Sequence, residues 1–311
     1  MWSQPEVHAR VRQLCQERTF DLILASQLPS AMYVRSLEGV PKILDEVESG
    51  LFLDQVRMAS DPIRRARRAM MWWKYARFMR GLLAAFDACT VVSEEEAQIL
   101  RRIAPGARVA VIPNGIDLGR YAGVKETPEP DTLIFTGAPT YWANRDALEF
   151  FAEAIWPEIR RRRPGARFFI TGRTPEGVAL PRPSGWIYTG YVEDVRPWVA
   201  RAWALAVPLR FGGGTRVKIL EAMALGTPVV STRKGAEGLD LPHPEALLVA
   251  DTPDGFVGEV LALLGDLERR ARQSRLVREA VRAYDWRSLG DRYLQLVEDV
   301  IGERAGLVAR H

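Results

Sequence analysis

An α/β fold built on parallel sheets is what this sequence predicts, on three observations. Short apolar runs recur along the chain, several of them continuous rather than alternating, as expected of strands buried on both faces of a parallel sheet. Amphipathic helical patterns separate them, the rhythm of βαβ units. A stretch rich in Pro and charge, residues 122–131, has no apolar periodicity and reads as a linker between two domains. The chain has 311 residues, enough for two domains with a sizeable core in each.

The strands predicted before the linker are 20–25, 42–45, 88–92 and 107–112; after it come 132–137, 167–171, 186–189, 204–208, 228–231 and 246–249. The second set forms a complete doubly wound domain over about 131–285. The first part, 1–124, has fewer strands and is entered by a helix (5–17). A doubly wound domain usually opens with a strand and a Gly-rich turn, and neither precedes residue 20, so this domain reads as short or truncated. Ser93 followed by Glu96 has the spacing of a capping box and starts a helix over 94–104.

Composition excludes several classes. A hydrophobic fraction of 47% and a charged fraction of 26% are globular values, which rules out whole-chain disorder and collagen-like repeats. With only Cys15 and Cys89 there is no disulfide framework, and a reducing cytoplasm fits. The three histidines, His8, His243 and His311, are scattered, so no His-based metal site is expected. No apolar run reaches the ~20 residues of a bilayer span. The net charge of +4 is too mild to imply nucleic acid. It is unevenly placed: residues 1–125 hold 18 Lys/Arg against 14 Asp/Glu, and the remainder balances.

Residues 62–83 carry Arg64, Arg65, Arg67, Arg68, Lys74, Arg77 and Arg80 and no acid, interleaved with Met70, Met71, Trp72, Trp73, Phe78 and Leu82. Two readings fit: a basic amphipathic helix on an anionic membrane surface, or an ordinary long helix with aromatics inward and arginines in water.

The stretch 205–239 carries the chemistry. It reads as strand, glycine loop (Gly212, Gly213, Gly214), helix from about Thr215 to 225, Gly226 as C-cap, then strand. Glycines before a helix let backbone N–H groups approach a ligand, and the helix start adds partial positive charge. Arg216 and Lys218 lie in the first turn, where cations are unfavourable unless an anion is bound. A phosphate over the helix end explains them; a tight turn and a solvated face are the plain alternatives. Glu221, three residues beyond Lys218, shares its helix face and either accepts the hydroxyls of a ribose or pairs with Lys218.

The run Gly-Gly-Gly-Thr-Arg-Val-Lys-Ile-Leu-Glu-Ala-Met-Ala-Leu-Gly-Thr-Pro-Val-Val-Ser-Thr resembles the donor-site signature of family-four glycosyltransferases of the GT-B fold. Phe20–Ile23, Pro41–Glu46, Phe86–Glu96, Phe135-Thr136-Gly137, Asn144–Leu148 and Thr189-Gly190-Tyr191-Val192 are similar in order, and Ile112–Asp117 is similar to the family's interdomain hinge. The resemblance implies two Rossmann-like doubly wound domains facing across a cleft, with a final helix (286–311) returning to the first domain. It implies a nucleotide-diphosphate-sugar donor on the C-terminal domain, a glycan or lipid-linked acceptor on the N-terminal one, and transfer with retention, without a metal or other cofactor. The donor-binding candidates are then Gly137, Asn144, Gly190, Gly212, Gly213, Gly214, Thr215, Glu221 and Glu237, and Arg216 and Lys218 are the groups that stabilise the leaving diphosphate. Asp45, Glu46 and Glu48, at the carboxyl end of a parallel strand, are acceptor-side candidates, or alternatively a helix-capping cluster. The expected location is cytoplasmic, with possible peripheral attachment to the inner membrane face through 62–83.

Three departures from the family pattern bear on this. The first glutamate of the family's paired motif would fall at Gly213; only the second, Glu221, is present. The family's basic pair would fall near Ala138 and Asn144, neither basic, so Arg216 and Lys218 are expected to take over the diphosphate, with Arg145 and Arg210 as further candidates. The N-terminal residues that carry the family's first strand and its glycine turn are missing, and no catalytic histidine is assignable in the first domain: Asp45-Glu46-Val47-Glu48 sits where the family often has one. His8 and His243 read as structural or solvated. Asn144 is expected to cap a helix over 145–156, and Glu237 to contact donor or shape a turn.

Overall fold

The structure is a computed structural model and describes residues 4–308, except 46, 48, 51–52, 54–55, 57–60, 175–176 and 213–215, and except the side chains of 304–308. The chain divides into two compact units: Met1–Pro113 with Leu289–His311, and Asn114–Ser288.

The first unit contains α1 (Pro5–Glu17), β1 (Ile23–Ser26), α2 (Gln27–Val34), β2 (Lys42–Asp45), α3 (Pro62–Leu83), β3 (Ala88–Val91), α4 (Glu94–Ile103) and β4 (Val109–Val111). Its four strands are parallel in the order β1-β2-β3-β4. β2 and β3 are enclosed on both faces: Lys42, Ile43 and Leu44 of β2 and all four residues of β3 are buried. One side of this sheet packs Leu44, Cys89 and Val91 against Met79, Leu82 and Leu83 of α3 and Leu100 of α4. The other side packs Ile43, Ala88 and Ile112 against Leu296 and Val300.

The second unit runs α5 (Gly119–Ala122), β5 (Thr132–Thr136), α6 (Trp142–Phe150), a π turn over Phe151–Ile155, α7 (Trp156–Arg162), β6 (Arg167–Thr171), β7 (Trp186–Gly190), α8 (Arg196–Arg201), β8 (Ala204–Val207), α9 (Val217–Leu225), β9 (Val229–Ser231), β10 (Leu247–Val249), α10 (Pro253–Gly265) and α11 (Leu267–Ala280). Its six strands are all parallel in the order β10-β9-β8-β5-β6-β7, so the chain reverses its direction of winding between β5 and β8. That is the doubly wound order, and β5/β8 is its switch point. Every predicted strand is present, most to within a few residues.

Two boundaries differ from expectation. The units separate at Pro113/Asn114, inside the Ile112–Asp117 stretch that resembles the family's interdomain hinge and ahead of the Pro-rich stretch 122–131. The stretch after Pro113 is tied into the second unit: Ile116 N–H donates to Tyr284 O at 2.9 Å, Trp286 N–H donates to Ile116 O at 3.0 Å, and Val124 packs on that unit's core. A Pro-rich composition marked an irregular segment there, but backbone pairing decides where it belongs. The chain also leaves the second unit after Ser288, partway along α12 (Trp286–Val308). Arg108 pairs with Asp299 and Glu303, each at 2.9 Å, on this returning helix. Among the described residues no helix is long and apolar enough to cross a membrane.

Candidate functional site

The site is built where β5 and β8 part, at their carboxyl ends, within the second unit. β5 ends at Thr136 and the chain turns at Gly137 with φ +130°, a conformation that favours glycine. A Cβ there would lie 2.9 Å from both Asn144 Nδ2 and Lys218 Nζ, so only glycine lets these two side chains close over the strand end. Asn144 is buried on the first turn of α6; its Nδ2 donates to Ala138 O at 3.0 Å and its Oδ1 accepts from Lys218 Nζ at 3.3 Å. The amide therefore presents donor and acceptor in a fixed orientation. It is not the helix cap: Tyr141 holds that position, and Asn144 has turned inward because its hydrogen-bonding partners lie on the strand side.

Lys218 reaches this point from the start of α9. Its Nζ lies 4.1 Å from the centre of the Phe135 ring. Burial, aided by the nearby Arg216 charge and opposed by Glu221, pushes the ammonium down to about 7. Glu221 lies one turn further on. Burial raises its carboxyl above the usual range, against the lowering effect of the Tyr121 hydrogen bond and of Lys218. Tyr121 Oη donates to Glu221 Oε1 at 3.1 Å, and burial with the adjacent carboxylate pushes the phenol up to about 12. Tyr121 was missed at the level of sequence because it abuts the supposed linker; nothing local signals a contact across 100 positions.

Arg216 occupies the N-cap position of α9 with its guanidinium folded against Gly212, a buried glycine at φ +106°, and donates to Lys234 O at 3.3 Å. Lys234 in turn pairs with Glu237 at 2.5 Å. Gly190 closes β7 at φ +72°, where its carbonyl accepts from Gly172 N–H at 2.8 Å. Arg210 forms a bidentate pair with Asp146 at 2.6 and 3.0 Å and lies over the Phe150 ring. Arg145 is half-buried on the first turn of α6. Gly213, Gly214 and Thr215 lie outside the described residues.

The structure thus brings Gly137, Asn144, Lys218 and Glu221 together, with Arg216 and Gly212 adjoining, Glu237 one contact removed, and Gly190 on the edge strand. Asp45 lies in the first unit at the end of β2, where Thr90 Oγ1 donates to its Oδ1 at 2.5 Å. Glu46 and Glu48 lie outside the described residues. A buried carboxylate there went unrecognised as such: Glu96 accepts from Ser49 N–H at 2.8 Å and Gly50 N–H at 2.9 Å, while its own N–H donates to Ser93 Oγ at 3.2 Å. Ser93 caps α4 as the capping-box spacing predicts, but the Glu96 carboxylate is committed to the loop after β2. Among the described residues no group of three His, Cys, Asp or Glu side chains is placed to hold a metal ion.

The two halves of the chain match known families. Residues 2–120 match the family model described as Glycosyltransferase Family 4, and residues 130–266 match Glycosyl transferases group 1. Over 210 residues the chain is 27% identical to a phosphatidyl-myo-inositol mannosyltransferase of Mycolicibacterium smegmatis, covering 63% of this chain and 53% of that protein. Over 238 residues it is 24% identical to a phosphatidylinositol N-acetylglucosaminyltransferase component of Arabidopsis thaliana, covering 68% and 48%. The chain spans about half the length of these curated relatives. The sucrose-phosphate synthase of Thermosynechococcus elongatus superposes with TM-score 0.73 at 17% identity, over 96% of this chain and 78% of that one. Anabaena HepE, solved with UDP and glucose, gives 0.70 at 15%, over 94% and 81%. The fold is α/β of the GT-B class, with two Rossmann-like parallel-sheet units, and the chain belongs to the family-four, group 1 glycosyltransferases.

Proposed function

We propose that the protein transfers a sugar from a nucleotide-diphosphate sugar to a glycan or lipid-linked acceptor, with retention of anomeric configuration and without a metal ion. The observation that carries this reading is the junction of Lys218, Asn144 and Gly137 at the switch point, with Glu221 held by Tyr121 one helical turn away. In the transfer the bond from the sugar anomeric carbon to the diphosphate oxygen breaks, and the acceptor hydroxyl oxygen bonds to that carbon on the same face. The acceptor proton leaves with the diphosphate. The negative charge that develops on the leaving group needs fixed positive charge, and Lys218 and Arg216 at the start of α9 supply it. That supply is what supports a metal-independent site. Glu221 accepts two ribose hydroxyls, and the Tyr121 hydrogen bond orients its carboxylate for them. A lipid-linked acceptor is favoured by both curated relatives, whose names place them on phosphatidylinositol.

Thermal-shift titration with UDP, GDP, ADP and TDP and their sugar conjugates tests this. Ligand at a hundredfold over its Kd adds about 2.7 kcal/mol to the folded state. One nucleotide series should raise Tm, and Glu221→Ala should abolish the rise without altering the unliganded Tm by more than a few degrees. No rise for any nucleotide on folded protein would sink the proposal. Gly213, standing where the family pattern places a glutamate, favours a second reading: a chain that binds the donor and turns it over weakly or not at all. Binding without measurable transfer to any offered acceptor, or hydrolysis, would select it.

A further inference from the structure

The first unit carries a surface that the donor site does not use. Nearly every residue of the first two turns of α3 is exposed, and only its second half, through Met79, Leu82 and Leu83, enters the core. Ile63, Arg67, Met70, Lys74 and Arg77 recur at intervals of four and three residues, so they form one stripe. At 1.5 Å per residue this stripe is about 21 Å long. It faces away from the core: Ile63 is 72% exposed, Met70 60% and the adjoining Trp73 61%. Apolar Ile63 and Met70 are interleaved with basic Arg67, Lys74 and Arg77, and α3 has no acidic residue. At the stripe's far end Arg35, Trp73, Lys74, Arg77 and Phe78 line an open cavity of about 520 Å³, into which Arg35 projects from the end of α2. No carboxylate lines that cavity.

We propose that the outward face of α3 seats on an anionic phospholipid bilayer, with the cavity beside Trp73 receiving a lipid phosphate. Long basic side chains extend to phosphates while Trp, Met and Ile enter the boundary between headgroups and acyl chains, so cations and apolar groups can share one stripe. A folded protein partner would instead bury the stripe in a dry centre, where charged residues are depleted, and each interleaved cation would need its own acid. The bilayer satisfies all of them at once through its diffuse negative surface. The proposal stands apart from the donor site: it predicts attachment whatever sugar is transferred.

The test is co-sedimentation of the full chain with phosphatidylcholine vesicles, with and without phosphatidylglycerol, at low and high salt. Wild type should pellet with phosphatidylglycerol vesicles at low salt and stay in solution with phosphatidylcholine alone. Arg67→Gln/Lys74→Gln/Arg77→Gln should weaken that binding on the order of a hundredfold, three charges being removed near the surface. A charge-matched control, Arg272→Gln/Arg275→Gln/Arg282→Gln on exposed positions of the second unit, should bind as wild type. Trp73→Ala should remove the part of the binding that survives high salt. Far-UV circular dichroism and the nucleotide thermal shift should be unchanged in every variant, which separates this test from that of the donor site. Wild type left in solution with phosphatidylglycerol vesicles overturns the proposal, as does equal weakening by the control set.

Discussion

Lys218 is the residue on which the donor site turns, because its charge is conditional. Enclosed beside Arg216 and over the Phe135 ring, it is held near 7, whereas an unfolded lysine titrates near 10.5. Between these two values the folded chain binds fewer protons at this position than the unfolded chain. This lysine therefore costs stability below pH 7, and that cost is relieved as pH rises toward 10.5. A bound anion reverses the preference and holds the ammonium form. Diphosphate affinity should accordingly be highest below pH 7 and fall by up to about tenfold per unit above it. Lys218→Met should lose both the affinity and that part of the slope; the difference between the two proteins isolates the lysine from the phosphate's own titration. Calorimetry in slightly alkaline buffers of different ionisation enthalpy should show proton uptake on binding to wild type only. Equal slopes in the two proteins would show that Lys218 does not face the ligand.

At the scale of elements, the path from β5 to β6 explains how Asn144 is aimed. One helical run from Trp142 to Arg162 is interrupted by the π turn at Phe151–Ile155, immediately before Trp156-Pro157. Pro157 has no N–H to continue the α ladder, and a wider turn ahead of it absorbs the mismatch. The turn drives Phe151 into an aromatic cluster: its ring centre lies 4.6 Å from that of Phe168, 6.0 Å from Trp156 and 6.0 Å from Phe256. That cluster fixes α6 on the sheet and hence the Asn144 amide at the strand end. Phe151→Ala should cost about 3–5 kcal/mol, read from urea unfolding of the second unit. It should also weaken nucleotide binding, although Phe151 itself is fully buried in the core. A loss of stability with unchanged affinity would disconnect the cluster from the site.

For the whole molecule, the decisive feature is that the first unit draws on two segments, Met1–Pro113 and Leu289–His311. Leu296 and Val300 of α12 close the face of the first sheet formed by Ile43, Ala88 and Ile112. These residues are nearly two hundred positions or more from the strands they cover, yet loop-closure cost rises only slowly with length, about 0.6 kcal/mol per doubling, so burial at this face can offset it. Leu296→Ala should destabilise the first unit by about 2–5 kcal/mol. Amide exchange should accelerate at Ala88–Val91 and Val109–Val111 and remain unchanged at Thr132–Thr136 and Ala204–Val207. Equal acceleration in both units would mean that they unfold as one.

The sequence by itself determined the α/β class, the positions of the strands and the family, because strands buried on both faces must be continuous apolar runs and the α9 loop carries its chemistry within one contiguous stretch. Capping at Ser93 and the glycine stop at Gly226 were equally legible, since each depends on residues within a few positions. What tertiary structure alone decided is every contact that closes over long separations: Lys218 with Asn144, Glu221 with Tyr121, Arg210 with Asp146, Glu96 with the loop after β2. The unit boundary at Pro113 falls inside Ile112–Asp117, the stretch that resembles the family's interdomain hinge. A charge or a proline announces its own chemistry locally, but its partner is chosen by the order in which parallel strands assemble, and that order is a property of the folded sheet.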